Sequence, residues 1–500
     1  MSIHISVKRG LALIALVATL IGFQGASTSA AATGGPPSLR LRTASGHITV
    51  LHRSHQPIPL DPGVYVAPVG GTFALQVVRS GLFSPLSMKQ VWTDDAGGHE
   101  RSLPSTILDG WKGLARFLHV VVRNESGKIV KRATTRFCPN SFSPQRVKPN
   151  ASPDPTFPFV CSTFSPFLVA SVWGIDPGWA VNPLSAGFYY GLFDQGIRFR
   201  GPDGDYEITT SIMPRYVRLF GIDPARATSV VRMTVETGRP ECPPYCGYAA
   251  HGTSPAATWG RAPEVPTGSP PPLEDLPDLA SLPAFGAFIY SPPGHDYLSF
   301  STTEWVGGGS DLDVEGFRRR NSNVMDAYQY FYRDGQVVGR APVGTMEFDN
   351  RKGHHHWHFE QFARYRLLDA GQTLAVRSHK QSFCIAPTDG VDLLLPGATL
   401  RPASFGFASC GTATSLWVRE RMPLGWGDTY IQFAAGQAFD ITEVPNGTYY
   451  IEVEVNPQGL LYEQSTTNNV SLRKVILKGS PGNRFMCLPA LDGVDQEGTC

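Results

Sequence analysis

The strongest constraint on the fold is a two-residue alternation of apolar and polar side chains, with no long helical period beside it. Val231, Met233 and Val235 alternate with Arg232 and Thr234. Ala363, Tyr365 and Leu367 alternate with Arg364 and Arg366, and Ile451, Val453 and Val455 alternate with Glu452 and Glu454. Successive side chains of a strand point to opposite faces, so each run buries one face and wets the other. The run from Leu118 to Val122 has strand composition, and Asn446-Gly447 is a tight-turn signal ahead of one alternating run. With 52 glycines and 42 prolines the chain turns often. These features predict a mainly β protein.

A length of 500 residues is enough for two β-rich domains. Lys8 and Arg9, an apolar stretch led by Leu11 to Ala18, and small residues at Thr28-Ser29-Ala30 or Ala30-Ala31-Ala32 read as a cleaved export signal over 1–32. Gln24 cuts the apolar run too short for a good membrane span. A Pro-rich stretch around Gly260 to Pro272 reads as an extended linker over 256–275. It separates a β-rich accessory domain, 33–255, from a second β-rich domain, 276–480, with a tail over 481–500. The net charge of +1 sets up no field that would favour nucleic acid or a membrane surface.

Eight cysteines in an exported chain point to disulfides. Proximity in sequence pairs Cys138 with Cys161, Cys242 with Cys246, Cys384 with Cys410, and Cys487 with Cys500. Cys242 and Cys246 could instead hold a metal, but no second Cys or His pair lies near them.

The densest chemical signal is Gly353-His354-His355-His356-Trp357-His358. On a strand, His354, His356 and His358 point together, and His355 and Trp357 point away. On a helix, His356 would leave the other two. Extended geometry is therefore the one that builds a three-imidazole site, which suits Cu(II) well and Zn(II) acceptably. Two other readings stand on the histidines alone: a patch that binds metal adventitiously, and a zinc site that activates water for hydrolysis.

Further motifs follow in order: Arg364-Tyr-Arg-Leu-Leu-Asp369, Ser378-His-Lys-Gln-Ser-Phe-Cys384, Gly427-Asp-Thr-Tyr430, Phe439-Asp-Ile-Thr-Glu-Val-Pro-Asn-Gly-Thr-Tyr449, Val455-Asn-Pro457 and Glu463-Gln-Ser-Thr-Thr-Asn-Asn469. Together with the histidine run they resemble the lysyl oxidase family, over approximately 276–479. The resemblance implies a catalytic β-sandwich with long loops and a copper site at His354, His356 and His358. It also implies a lysine tyrosylquinone made from Lys380 and Tyr430 of the chain itself. The implied activity is that of a secreted, extracellular copper amine oxidase. It would turn primary amines, lysine of proteins or peptides above all, into aldehydes, consuming molecular oxygen and releasing hydrogen peroxide and ammonia. Asp428, two residues before Tyr430, is a candidate general base; a carboxylate capping a turn after Gly427 is the other reading.

In animals the family has a calcium site, which maps onto Asp278, Leu279, Glu463, Asn468 and Asn469. Those are hard oxygen ligands, although an Asn-rich turn would look the same. Ser465 stands where the family can have Asp. One residue is missing just after the histidines, the stretch from Lys380 to Tyr430 is longer than in the animal enzymes, and cysteines are fewer. A rival of another class is a non-catalytic secreted copper-binding or adhesion protein. Because every matched motif lies beyond the linker, the second domain is expected to work without 35–255.

Overall fold

The computed structural model describes residues 35–52, 57–82, 84–148, 150–184, 197–238, 271–319, 322–333, 336–349, 356–378, 380, 382–403, 410–413, 415–491 and 500. The export signal, most of the linker, Cys242, Cys246, His354 and His355 lie outside these residues.

The protein is mainly β, as its alternation predicts. In the first half, a four-stranded antiparallel sheet runs in the order Ala170–Ile175, Phe73–Val78, Ser87–Asp94, Gly97–Leu103. A five-stranded sheet runs in the order His47–His52, Thr228–Thr237, Gly204–Ile212, Leu114–Asn124, Ile129–Phe137. Phe73, Leu75 and Val77 of one sheet and Leu118, Val120, Ile208 and Val231 of the other fill a single core between them. The two sheets form a β-sandwich, within the β-rich composition expected of this half. Val231, Met233 and Val235 are buried, and Arg232 between them is exposed. Slipping that strand by one residue would bring three apolar side chains to the surface at ~1.5–3 kcal/mol each, so its register is strongly held.

The second half has three sheets around another core. In one, Tyr297–Gly308 lies between Pro277–Ser281 and Trp426–Tyr430, and Trp426–Tyr430 also pairs with Asp389–Gly390. A second runs in the order Ser382–Phe383, His356–Glu360, Gln336–Asp349, Val324–Arg333, Leu312–Arg318, Trp417–Met422. A third holds Leu374–Arg377, Ala363–Leu368, Gly447–Val455, Val470–Ser480 and Asn483–Cys487. The last strand pairs with Val470–Ser480, so a domain end at 480 would cut a hairpin.

The expected disulfides Cys138–Cys161, Cys384–Cys410 and Cys487–Cys500 are formed, with Cα separations of 5.7, 5.8 and 5.0 Å. Among the described residues no helix is long and apolar enough to cross a membrane. The two halves also touch: Phe167 packs with Leu282, Phe285 and Val391.

Candidate active site

His356 and His358 stand two residues apart on one strand, so their rings share a face. Their Nε2 atoms converge to 2.9 Å. Trp357, between them, points the other way and is fully buried. Its indole N–H donates to the Thr412 carbonyl at 2.9 Å, and the Arg318 guanidinium covers its ring at 5.2 Å. Two nitrogens each ~2.0–2.1 Å from one metal, at a right angle, sit about 2.9 Å apart. The pair therefore fits two adjacent ligands of one ion. The other ring nitrogen of His358 faces Asp349 Oδ2 at 3.5 Å and the Ser382 hydroxyl at 3.4 Å. Carboxylate support of this kind orients a ligating imidazole. His354, the third expected ligand, and His355 are outside the described residues. The described residues contain no group of three His, Cys, Asp or Glu side chains arranged to hold a metal.

Ser382 begins the two-residue strand paired with the histidine strand, and its neighbour Phe383 reaches the other half of the site. The Phe383 ring stands edge-on to Tyr430 at 5.1 Å. Lys380 places its Nζ 3.8 Å from the centre of the Tyr430 ring and 5.0 Å from that of Phe383. Gly436 makes room for the lysine: at φ +84 it adopts a backbone conformation that side chains disfavour, and a Cβ there would lie 2.9 Å from Lys380 Cβ. The lysine and tyrosine singled out by resemblance are thus in contact, although 50 positions separate them (430 minus 380). The Cys384–Cys410 disulfide ties both parts together. The Tyr430 hydroxyl donates to the Cys384 carbonyl at 2.9 Å, and the Cys410 carbonyl accepts from the Trp357 backbone N–H at 2.8 Å.

Around the lysine and tyrosine lie carboxyl groups that alternation explains. Asp428 and Tyr430 share a face of their strand. Glu304 is directly opposite Asp428, and Thr302 opposite Tyr430, on the neighbouring antiparallel strand. Glu304 and Asp428 are fully buried, and none of their four carboxyl oxygens has a hydrogen-bond partner among the described residues. Asp428 lies inside the strand Trp426–Tyr430. Burial drives the Glu304 carboxyl up to about 8, with Lys380 and the Thr302 and Tyr365 hydroxyls pulling it partly back. Burial, and then the neighbouring Glu304, push Asp428 well above the usual carboxylate range. Burial, and then Asp428, hold the Tyr430 phenol well above its ordinary value. Glu420 is buried as well; one oxygen accepts from the Ile385 N–H at 2.9 Å and the other has no partner among the described residues.

A second polar cluster joins the start of the domain to its acidic, double-Asn segment. Asn468 donates to Asp278 Oδ2 at 3.0 Å, and Glu463 accepts from Asn469 at 2.8 Å and from the Leu279 backbone N–H at 3.2 Å. Asp278 Oδ1, Asn468 Oδ1 and Asn469 Oδ1 are buried oxygens with no hydrogen-bond partner among the described residues. Such a set of oxygens fits a hard cation.

The lysyl oxidase family model matches residues 329–487, a stretch that holds the histidine pair, Lys380, Asp428 and Tyr430. This region is similar to the lysyl oxidase domain. Lysyl oxidase homolog 1 of Homo sapiens is 33% identical over 206 residues, 39% of this chain and 32% of that protein. Lysyl oxidase homolog 4 of Mus musculus is 30% identical over 156 residues, 31% of this chain and 18% of that protein. Lysyl oxidase homolog 2A of Danio rerio is 30% identical over 137 residues, 27% of this chain and 17% of that protein. The chain thus spans under a third of the length of these relatives. Glu304 and Asp278 lie before the stretch matched by the lysyl oxidase model.

The resemblance singled out Lys380 and Tyr430, and proximity to Tyr430 singled out Asp428; Glu304, Glu420 and Gly436, which the structure places near them, were not singled out. A signal existed for Glu420, since it alternates with Val418 and Met422, all three on the buried face. Glu304 sits in Tyr297–Gly308, a strand buried on both faces, where no alternation marks it out.

Proposed function

We propose that this lysyl oxidase-like region is a copper amine oxidase that acts on primary amines, with lysine side chains of proteins or peptides as the substrate class. The observation that carries this reading is Lys380 Nζ stacked 3.8 Å above the centre of the Tyr430 ring. Copper(II) and dioxygen would supply oxidation of the Tyr430 phenol, and the resulting lysine tyrosylquinone would supply the electrophile that converts amine, dioxygen and water to aldehyde, hydrogen peroxide and ammonia. His356 and His358 would hold copper together with His354. Lys380 is held where its nitrogen needs no search to reach the ring, and such proximity can remove ~7–11 kcal/mol of barrier. Phe383 packs edge-on against Tyr430 and lies against the Lys380 nitrogen.

Asp428 is the proposed base that takes the proton from the substrate carbon. It shares a strand face with Tyr430, and because burial and then Glu304 raise its carboxyl, only its ionised form accepts the proton. The Asp278, Leu279, Glu463, Asn468 and Asn469 cluster is proposed to bind calcium, supported by its three unpartnered oxygens. Export is supported by the three disulfides, which persist in oxidising compartments.

The test is peroxide release from a primary amine by copper-loaded protein. Wild type is expected to turn over. Tyr430→Phe is expected to bind copper and release no peroxide, because the ring cannot become a quinone. Peroxide release by Tyr430→Phe at the wild-type rate would overturn the proposal.

A further inference from the structure

The segment 388–401, between Lys380 and Tyr430, is held from two sides. On one side it grips the strand Trp426–Tyr430. The Thr429 hydroxyl donates to Asp389 Oδ2 at 2.5 Å, and the Thr429 N–H donates to the Thr388 hydroxyl at 2.6 Å. The Trp426 indole donates to the Thr399 carbonyl at 2.7 Å. Asp389 and Gly390 also pair with Gly427 and Trp426 in the sheet.

On the other side the same segment is gripped by the first half of the chain. Asp389, fully buried, accepts from the backbone N–H groups of Phe164 at 3.0 Å and Ser165 at 2.9 Å. The Val169 N–H donates to the Val391 carbonyl at 2.7 Å, and the Leu393 N–H to the Ala170 carbonyl at 3.0 Å. Arg401 donates to the carbonyls of Ser141, Phe142 and Phe157 and lies over the Phe159 ring at 3.9 Å. Leu394 and Leu400 pack against Phe157 and Val172.

One carboxyl thus receives hydrogen bonds from both halves, and its donor in the second half, Thr429, is the residue next to Tyr430. A buried carboxylate with three donors is costly to leave half satisfied. Freeing Phe164 and Ser165 would strand two N–H groups and loosen the anchor of Thr429 together. We infer that the first half of the chain is a clamp that fixes the Trp426–Tyr430 strand through segment 388–401, with Asp389 as the positioning residue. Residues 35–238 then help to build the site, contrary to the expectation that the second domain works without them. The consequence for cofactor formation rests on the amine oxidase reading; the mechanical coupling does not.

Hydrogen exchange on the full chain tests this, comparing wild type with Arg401→Ala, which weakens the first half's hold by removing the contacts to Ser141, Phe142, Phe157 and Phe159 without altering Trp426–Tyr430. Amides of 164–172 and 426–430 are expected to exchange about tenfold faster or more, while those of 447–455 stay unchanged. Bound copper should be retained while the yield of the Lys380–Tyr430 crosslink falls. Faster exchange at 164–172 with 426–430 unchanged would overturn the inference, as would an equal rise at 447–455, which marks general destabilisation. If Arg401→Ala does not fold, Arg401→Lys, which keeps one cation but loses the planar fork, is read in the same way. A wild-type protein that forms no crosslink would defeat the oxidase reading and leave the exchange comparison to decide the clamp.

Discussion

His356 and His358 converge because a strand returns to the same face every second residue, and Trp357 is driven into the core by the same geometry. From sequence parity alone, His354 is proposed to join this pair and His355 to stay out of it. His354→Ala, His356→Ala and His358→Ala should each lose bound copper, and His355→Ala should keep it. Loss of copper from His355→Ala with retention in His356→Ala would contradict the strand geometry. Glu304 makes a second claim at this scale. Burial raises its carboxyl from 4.5 to about 8. The folded state therefore keeps a proton that the unfolded chain releases. The resulting stabilisation is present in full below about 4.5 and is lost as pH rises through about 8. Asp428 and Glu420, also raised by burial, act in the same direction. Denaturation midpoints should accordingly fall between about pH 6 and about pH 8.5, and Glu304→Gln should flatten that fall. An unchanged slope in Glu304→Gln would show that this carboxyl does not carry a displaced proton.

Strands were the most legible elements, since Ala363–Leu368, Gly447–Val455 and Thr228–Thr237 bury the side chains that their alternation selects. The chemistry on them was partly legible. Asp428 and Tyr430 share a face by simple parity, but nothing local reveals that Glu304 stands opposite Asp428, because strand pairing between 297–308 and 426–430 is set by distant parts of the chain. Asp389 was invisible for the same reason: its two backbone donors, Phe164 and Ser165, lie more than 200 positions away. The cluster around Asp278 and Glu463 joins the strand Pro277–Ser281 to the turn before Val470–Ser480, so a cation there would staple the two elements. Calcium should raise the melting temperature, and chelation should lower it, in wild type but not in Asp278→Ala. Equal melting of both proteins with and without calcium would leave an Asn-rich turn as the account. The Cys384–Cys410 disulfide works across elements as well, closing a loop with a separation of 26. Replacing both cysteines by serine should cost about 3–4 kcal/mol in denaturant unfolding.

At the scale of the whole molecule, three sheets of the second half and a clamp from the first meet around one buried lysine and one buried tyrosine. The Pro-rich stretch and the clustered motifs suggested two separate modules, and nothing in that composition announced the contacts between the halves. The amine oxidase reading proposes that the lysine and the tyrosine become one group. Lys380 is buried against the ring of a phenol that burial keeps protonated, a costly placement for an amine with no further purpose. The direct measurement is peptide mapping by mass spectrometry of the full chain, before and after copper and oxygen are supplied. The account predicts a branched peptide joining the segments that contain Lys380 and Tyr430, absent beforehand and absent from Lys380→Arg, whose guanidinium stays protonated and cannot add to the ring. Protein that turns over amines with Lys380 and Tyr430 on separate, unmodified peptides would contradict it.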